Sequence, residues 1–282
     1  MDLLPRTLAY PPTFLLGCVV GSFLNVCIYR LPRDRSVIAP PSHCPQCGAR
    51  LQPIDLFPLL SFLALGRKCR RCGGPISWRY FAVELITGLA FLAVWEALGP
   101  TPQLLPACAF ASIVIAVVFT DLDHMIIPDK LVLAVLAAAL LSEGLLVLRG
   151  EPLLAVPVPL LGFALPRIVA GGLTGLIVFF AIRAFSQLLF RREGMGMGDV
   201  KLAGAIGAML GPVAALLTFG LAVLAGAVLG LLLLALRLRR RMEYLPFGPF
   251  LAVSALVALL APAALQGAAL SLYRHWTGLF VW

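Results

Sequence analysis

Two groups of residues in this chain have types and spacings that can do chemistry. The first is a set of aspartates placed beside apolar runs. Asp121 closes one run in "FTDLDHMIIPDK", with Asp123 and Asp129 just beyond it. Asp199 follows three alternating glycines in "REGMGMGDVKLAGAIGAMLG". Carboxylates in or next to membrane-like segments are costly, so each one needs a reason. Asp121 lies nearest its apolar run and is the stronger candidate, since on a helix Asp123 points about 200° away from it. Asp129, after Pro128, reads as a helix-start residue facing a helix dipole. His124 reads as a solvated loop histidine. Two carboxylates held close cannot both ionise, so they share a proton. One then acts as a base on water while the protonated one polarises a carbonyl, which hydrolyses an amide without a covalent intermediate. Buried acids also serve as relays in proton-coupled transporters, and the residue types leave both readings open. Neither HExxH nor GxSxG occurs, and three histidines offer no obvious Ser–His system.

The glycines lean toward a peptide substrate. Gly194, Gly196 and Gly198 recur with a period of two, which fits no helix face. They predict an extended or irregular entry to the next span, where residues without a Cβ let a substrate backbone come close to Asp199. Gly196, Gly198 and Lys201 are therefore read as the active-site loop. Lys201 either depresses the pKa of Asp199 or snorkels to headgroups. The glycines beyond it, in "GAIGAMLG", read as helix packing.

The second group is four cysteines, Cys44 and Cys47 in "CPQCG" and Cys69 and Cys72 in "CRRCGG", with 21 residues between the pairs. A two-residue gap lets a tight turn aim both thiolates at one ion, and four thiolates make a closed, structural zinc site. Cys18, Cys27 and Cys108 sit in apolar runs and read as small core residues.

The elements that must position these groups are membrane spans. The chain has 282 residues, 61% hydrophobic and 12% charged, about half the charge of a soluble domain. Apolar segments fall near 12–30, 80–98, 103–121, 129–148, 166–189, 200–211, 212–236 and 246–271. The expectation is an all-α polytopic membrane protein of about eight transmembrane helices, with a small cytoplasmic zinc-knuckle domain between helices 1 and 2. The division is a first span at 1–30, a four-cysteine zinc-binding loop domain at 31–78 and a transmembrane domain at 79–282. The sixth segment is short, and "RGEPLLAVPVPLLGFALP" at 149–166 reads as an outer loop at the interface. No cleavable signal peptide is expected from "MDLLPRTLAYPP".

Threading eight spans leaves Arg6, Arg149, Arg167 and Arg274 on one side and the other 18 of the 22 basic residues opposite. That bias places the basic side in the cytoplasm. The net charge of +9 is then explained by the lipid bilayer, with no nucleic acid partner. At 48 residues, the loop 31–78 is too small for a strong core of its own and gains from a metal staple. A cytoplasmic site disfavours the alternative of two disulfides.

Several of these motifs resemble one family. "GMGMGDVKL" resembles the GxGD signature of the type IV prepilin peptidases, which are membrane aspartyl proteases. "DLDHMIIPD" resembles the stretch holding that family's first aspartate. "GCVVGSFLNVCIYRLP" at 17–32, "ISWRYFAVELITG" at 76–88 and "LPFGPFLA" at 245–252 resemble its first, second and last spans, and the paired CxxC sits where bacterial members carry it. The resemblance implies an endopeptidase of the bacterial inner membrane. It would remove the leader of type IV prepilins and type II secretion pseudopilins after a glycine, on the cytoplasmic side. Asp121 and Asp199 would be its catalytic pair. It also implies N-methylation of the new N-terminal residue, usually Phe, with S-adenosylmethionine as donor, by the part holding the cysteine loop. No GxGxxG fold is present for that cofactor. Glu84, one turn inside the second span, is either a buried ion-pair partner or part of the methyl-transfer site. Presenilin-type GxGD proteases carry a YD motif where this chain has "VVFTD", a poor match.

Overall fold

A computed structural model describes residues 6–151, 155–158, 163–190, 195–236, 246–261 and 267. Gly194, the arginines at 191–192, 237, 239–241 and 274, and most of the 262–271 end of the last expected span lie outside the described residues. The chain forms two compact units, Met1–Thr120 and Asp121–Trp282.

The first unit is built on α1 (Tyr10–Arg30) and α3 (Trp78–Leu98). Hydrophobic force does not drive helices together in lipid, so close packing of small residues must. It does so here. A Cβ on Gly17 would sit 2.8 Å from the Gly88 Cα, and one on Gly21 would sit 2.7 Å from the Glu84 Cα. At the same crossing Asn25 Nδ2 donates to the Tyr80 carbonyl at 3.1 Å. The connection between these helices holds a one-turn 3-10 segment at Pro53–Leu56 and the short α2 (Leu60–Ala64). Phe62 of α2 is buried, with its ring 5.3 Å from both Trp78 and Phe81. The Arg67 guanidinium lies 4.7 Å over Trp78. α4 (Leu104–His124) contributes Leu104–Thr120 to this unit and its last turn to the next.

The second unit contains α5 (Asp129–Leu148), α6 (Arg167–Phe190), α7 (Met197–Leu210), α8 (Pro212–Ala235) and α9 (Gly248–Leu260). α7 lies at its centre and packs against the other four. Every residue from Leu202 to Met209 is buried, the pattern of a helix surrounded by protein. Its approach to α6 is limited by backbone alone. A Cβ on Gly171 would lie 2.0 Å from the Gly207 carbonyl oxygen, and one on Gly175 would lie 2.1 Å from that of Ala203. An ion pair of Arg167 with Glu143, 3.0 Å, ties α6 to α5.

Each of the eight expected apolar segments contains a helix, and six of the described helices are long and apolar enough to cross a membrane. α7, at 14 residues, rises only about 21 Å, short of the ~30 Å hydrocarbon. The connection read as an outer loop at 149–166 carries a short antiparallel hairpin, β1 (Ala155–Val158) with β2 (Phe163–Pro166), within the all-α frame. One expectation needs correction. The irregular entry to the sixth segment is shorter than its glycines suggested. Gly196 is extended (φ −68°, ψ 147°), but Gly198 already belongs to α7.

Candidate active site

Asp121 sits on the last turn of α4 and is buried, whereas Asp123 two residues on is exposed. The backbone leaves the helix through Met125, whose φ is +52°. Its N–H still bonds the Asp121 carbonyl at 2.8 Å. This turn delivers Ile127, buried, and Pro128, the residue capping α5.

Asp199 is the third residue of α7, in the first turn where a negative charge meets the helix dipole. It accepts a hydrogen bond from the Gly196 backbone N–H, while its Oδ1 is buried with no partner among the described residues. Asp121 and Asp199 are near enough for the charge of one to act on the other. Gly198 explains how close the strands of this site run. A Cβ there would lie 3.2 Å from the Ile127 Cβ, so Gly198 lets α7 lie against the linker that follows Asp121.

A third segment completes the site. The Gly248 N–H, at the start of α9, donates to Asp121 Oδ2 at 3.0 Å. A Cβ on Gly248 would sit 2.6 Å from that same oxygen and 3.2 Å from Ile127 Cδ1. Only glycine fits. The α9 N-terminus therefore presents a donor and a positive dipole end to the Asp121 carboxylate. Sequence reading missed Gly248. Its one signal was "FGP", a glycine before the proline of a helix first turn.

Lys201 is directed elsewhere. Its ammonium makes bonds of 2.8 and 2.9 Å to the two oxygens of Asp129, on an exposed face. That pairing is with the α5 helix-start aspartate, not Asp199.

In the first unit, the two CxxC turns are near copies. Gly48 N–H bonds the Cys44 carbonyl and Gly73 N–H the Cys69 carbonyl, both at 2.9 Å. Gly48 and Gly73 take φ of +69° and +68°, a region that favours glycine. The four sulfurs lie within 4.8 Å of one another, with Cys44 and Cys72 3.9 Å apart. Four Zn–S bonds of ~2.3 Å require sulfurs about 3.8 Å apart, so the cluster fits tetrahedral zinc. The N–H groups of Cys72 and Arg71 hold the Cys69 thiol down to about 6. Gly74 N–H also lowers Cys72, but desolvation and the sulfurs of Cys47, Cys69 and Cys44 outweigh it and push that thiol up to about 11. A divalent cation removes the repulsion that keeps the later thiols protonated.

Glu84 is buried, and its carboxylate meets the backbone of the connecting loop. Its Oε2 accepts from the Leu59 N–H at 2.8 Å, and the Ser22 side chain is its other partner. Leu59 has φ +60°, ψ −49°, a strained γ-turn geometry. The carboxylate thus fixes a strained corner of the connecting loop onto α1 and α3.

Fold and site together define a polytopic helical membrane protein with a two-aspartate centre and a four-thiol knuckle. Residues 15–98 match the bacterial peptidase A24 N-terminal domain, and residues 108–231 match the type IV leader peptidase family. The chain belongs to the type IV leader peptidase family. It is 37% identical over 272 residues to a prepilin leader peptidase/N-methyltransferase of Aeromonas hydrophila, covering 88% of this chain and 89% of that protein. A Bacillus subtilis (strain 168) protein of the same name is 37% identical over 251 residues, covering 88% and 92%. One from Myxococcus xanthus (strain DK1622) is 39% identical over 221 residues, and there the match spans 78% of this chain but only 62% of the relative. No solved structure matches the chain.

Proposed function

We propose that this chain is a membrane aspartyl endopeptidase that removes the leader of type IV prepilins and type II secretion pseudopilins. In this reading the cut falls after a glycine on the cytoplasmic side of the bacterial inner membrane, and the new N-terminal residue, usually Phe, is then N-methylated. The names of its relatives support the two activities. The observation that carries the peptidase assignment is the meeting of Asp121, Asp199 and the Gly248 N–H in one place.

Each aspartate accepts a backbone N–H, Asp121 from Gly248 and Asp199 from Gly196, and each faces a helix N-terminus, so the two act as one pair that shares a proton. The ionised member takes a proton from water as the oxygen attacks the scissile carbonyl, and the protonated member gives its proton to the carbonyl oxygen. The member that took the water proton then passes it to the departing amine, and a hydroxyl of the tetrahedral intermediate returns a proton to the other as the C–N bond breaks. The arrangement needs no covalent intermediate. Lys201, paired with Asp129, braces α7 against α5 beside the pair.

Cys44, Cys47, Cys69 and Cys72 hold a structural zinc that staples the loop between α1 and α3. Methyl transfer takes its methyl group from S-adenosylmethionine. The chain has no GxGxxG pattern, and we assign that donor no residue. Glu84, already engaged by Leu59 and Ser22, positions the loop.

The test is cleavage of a purified prepilin by the purified chain in detergent. Asp121→Asn and Asp199→Asn each lower the rate by at least about 10²-fold, the range of a lost general acid or base. Full activity in either variant overturns the assignment.

A further inference from the structure

α6 carries a single charged residue within its apolar run. After Arg167 at its first position, Arg183 is the only charge as far as Phe190. The stretch Arg167–Leu189 is long and apolar enough to cross a membrane. Arg183 lies seven residues before Phe190, about 10 Å along the axis. A cation at such a position is costly and marks a partner or a task. Its Nη1 donates to the Met195 carbonyl. That carbonyl and the Gly196 N–H belong to one planar trans peptide group, so they point in opposite directions. The same N–H is the donor to Asp199. One rigid plane therefore has the guanidinium at its oxygen edge and the Asp199 carboxylate at its N–H edge.

This plane stands just outside the helix. Gly196 is the N-cap of α7 and makes no side-chain cap, and the Met195 carbonyl precedes the first carbonyl of the intrahelical ladder. Glycine also gives the backbone its greatest freedom here, so an outside anchor has most to fix. Arginine suits that task, because its guanidinium stays charged and its planar fork aims the donor. A charged donor on the carbonyl also polarises the amide and strengthens the N–H bond on the far side. The close contacts of Gly171 and Gly175 with α7 hold the helix that carries it.

We infer that Arg183 is a positioning residue for Asp199, acting through the Met195–Gly196 peptide. Asp199 Oδ1 has no partner among the described residues, so the oxygen held by Gly196 is Oδ2. The clamp keeps Oδ2 on the loop and leaves Oδ1 for the reaction. The inference rests on the peptidase reading above. An arginine that merely snorkelled would send its guanidinium to the headgroups and leave this peptide unheld.

Two measurements on the full-length chain in proteoliposomes test this. In prepilin cleavage, Arg183→Met lowers kcat about tenfold or more with KM within about twofold, as for a group that acts only in the transition state. Arg183→Lys, which keeps a charged donor, retains at least about a third of kcat. Carbonyl-13C methionine with 15N glycine marks two amides, Gly196 and Gly198, and Met195→Leu identifies the first by removing its signal. In Arg183→Met, hydrogen exchange at Gly196 quickens about fivefold or more, the loss of one supporting hydrogen bond, while Gly198 stays within about twofold. An unchanged kcat in Arg183→Met, equal losses in the Met and Lys variants, or unchanged exchange at Gly196 overturns the proposal. A wild-type chain that does not cut prepilin removes the peptidase reading, and the clamp then stands or falls on the Gly196 exchange.

Discussion

In the knuckle, each sulfur is aimed by its own turn. Cys44 and Cys47 are fixed by bonds within residues 44–49, and Cys69 and Cys72 by the same bonds within 69–74. In the aspartate centre no local turn suffices. Asp121, Asp199 and Gly248 come from three helices, and what brings them together is the absence of side chains at Gly198 and Gly248. The knuckle is a local motif repeated, with four thiols placed for one metal ion. The aspartate centre is a packing result, so sub-ångström changes in distant backbone reach it. The two regions should therefore fail differently.

The largest effect expected outside the aspartates themselves is at Gly248. Gly248→Ala forces a Cβ into the position 2.6 Å from Asp121 Oδ2. Displacing a catalytic group by about 1 Å costs on the order of 10²-fold in rate. Cleavage assays should show that loss while zinc content stays unchanged. Normal cleavage by Gly248→Ala would mean that the α9 donor does not position Asp121.

Next is the metal. Cys44→Ser should lose its zinc, measured by elemental analysis, and expose residues 31–78 to limited proteolysis. Prepilin cleavage should fall by less than about tenfold, because the aspartate centre lies in the other unit. A loss as deep as that of the aspartate variants would collapse the contrast between the regions. Acid gives the same comparison without mutation. Zinc needs thiolates, so protons compete with it and affinity falls as pH falls. Zinc content should hold at pH 7–8 and decline as the pH is lowered further, and full release at pH 7 would contradict the geometry.

Glu84→Gln should act on the first unit alone. It weakens the bond to a strained backbone corner without removing the acceptor, costing about 1 kcal/mol locally. Hydrogen exchange at Leu59 and Leu60 should quicken, with cleavage unchanged within a few-fold. Unaltered exchange would show that the loop is held by other contacts.

The smallest effect belongs to Lys201→Met. The Lys201–Asp129 pair is exposed, at 45% and 66% for the two side chains. Such pairs contribute about 0.2–1 kcal/mol, so thermal stability and cleavage should change little. A hundredfold loss of activity would return Lys201 to a direct role at Asp199.

Much of the first region was legible in the residues. CxxC spacing and the glycines after each pair dictate turns that need only neighbouring backbone. The aspartates were legible as types and depths, because a carboxylate beside an apolar run is conspicuous. The alternating glycines were half understood. Gly196 is extended, but Gly198 is helical, and its bareness serves a contact with Ile127 that no period reveals. Glu84 showed its burial in sequence but not its partner, since Leu59 lies 25 residues away.

The sequence by itself determined the chemistry available: apolar spans of countable length, four thiols in two turns, and acids at the ends of two spans. Those follow from transfer energies and local backbone geometry, which depend on neighbours along the chain. Only the tertiary structure decided which acids meet, which glycine clamps Asp121, and that Lys201 answers to Asp129. Those outcomes depend on how close helices come, and that distance is set by the side chains missing between them.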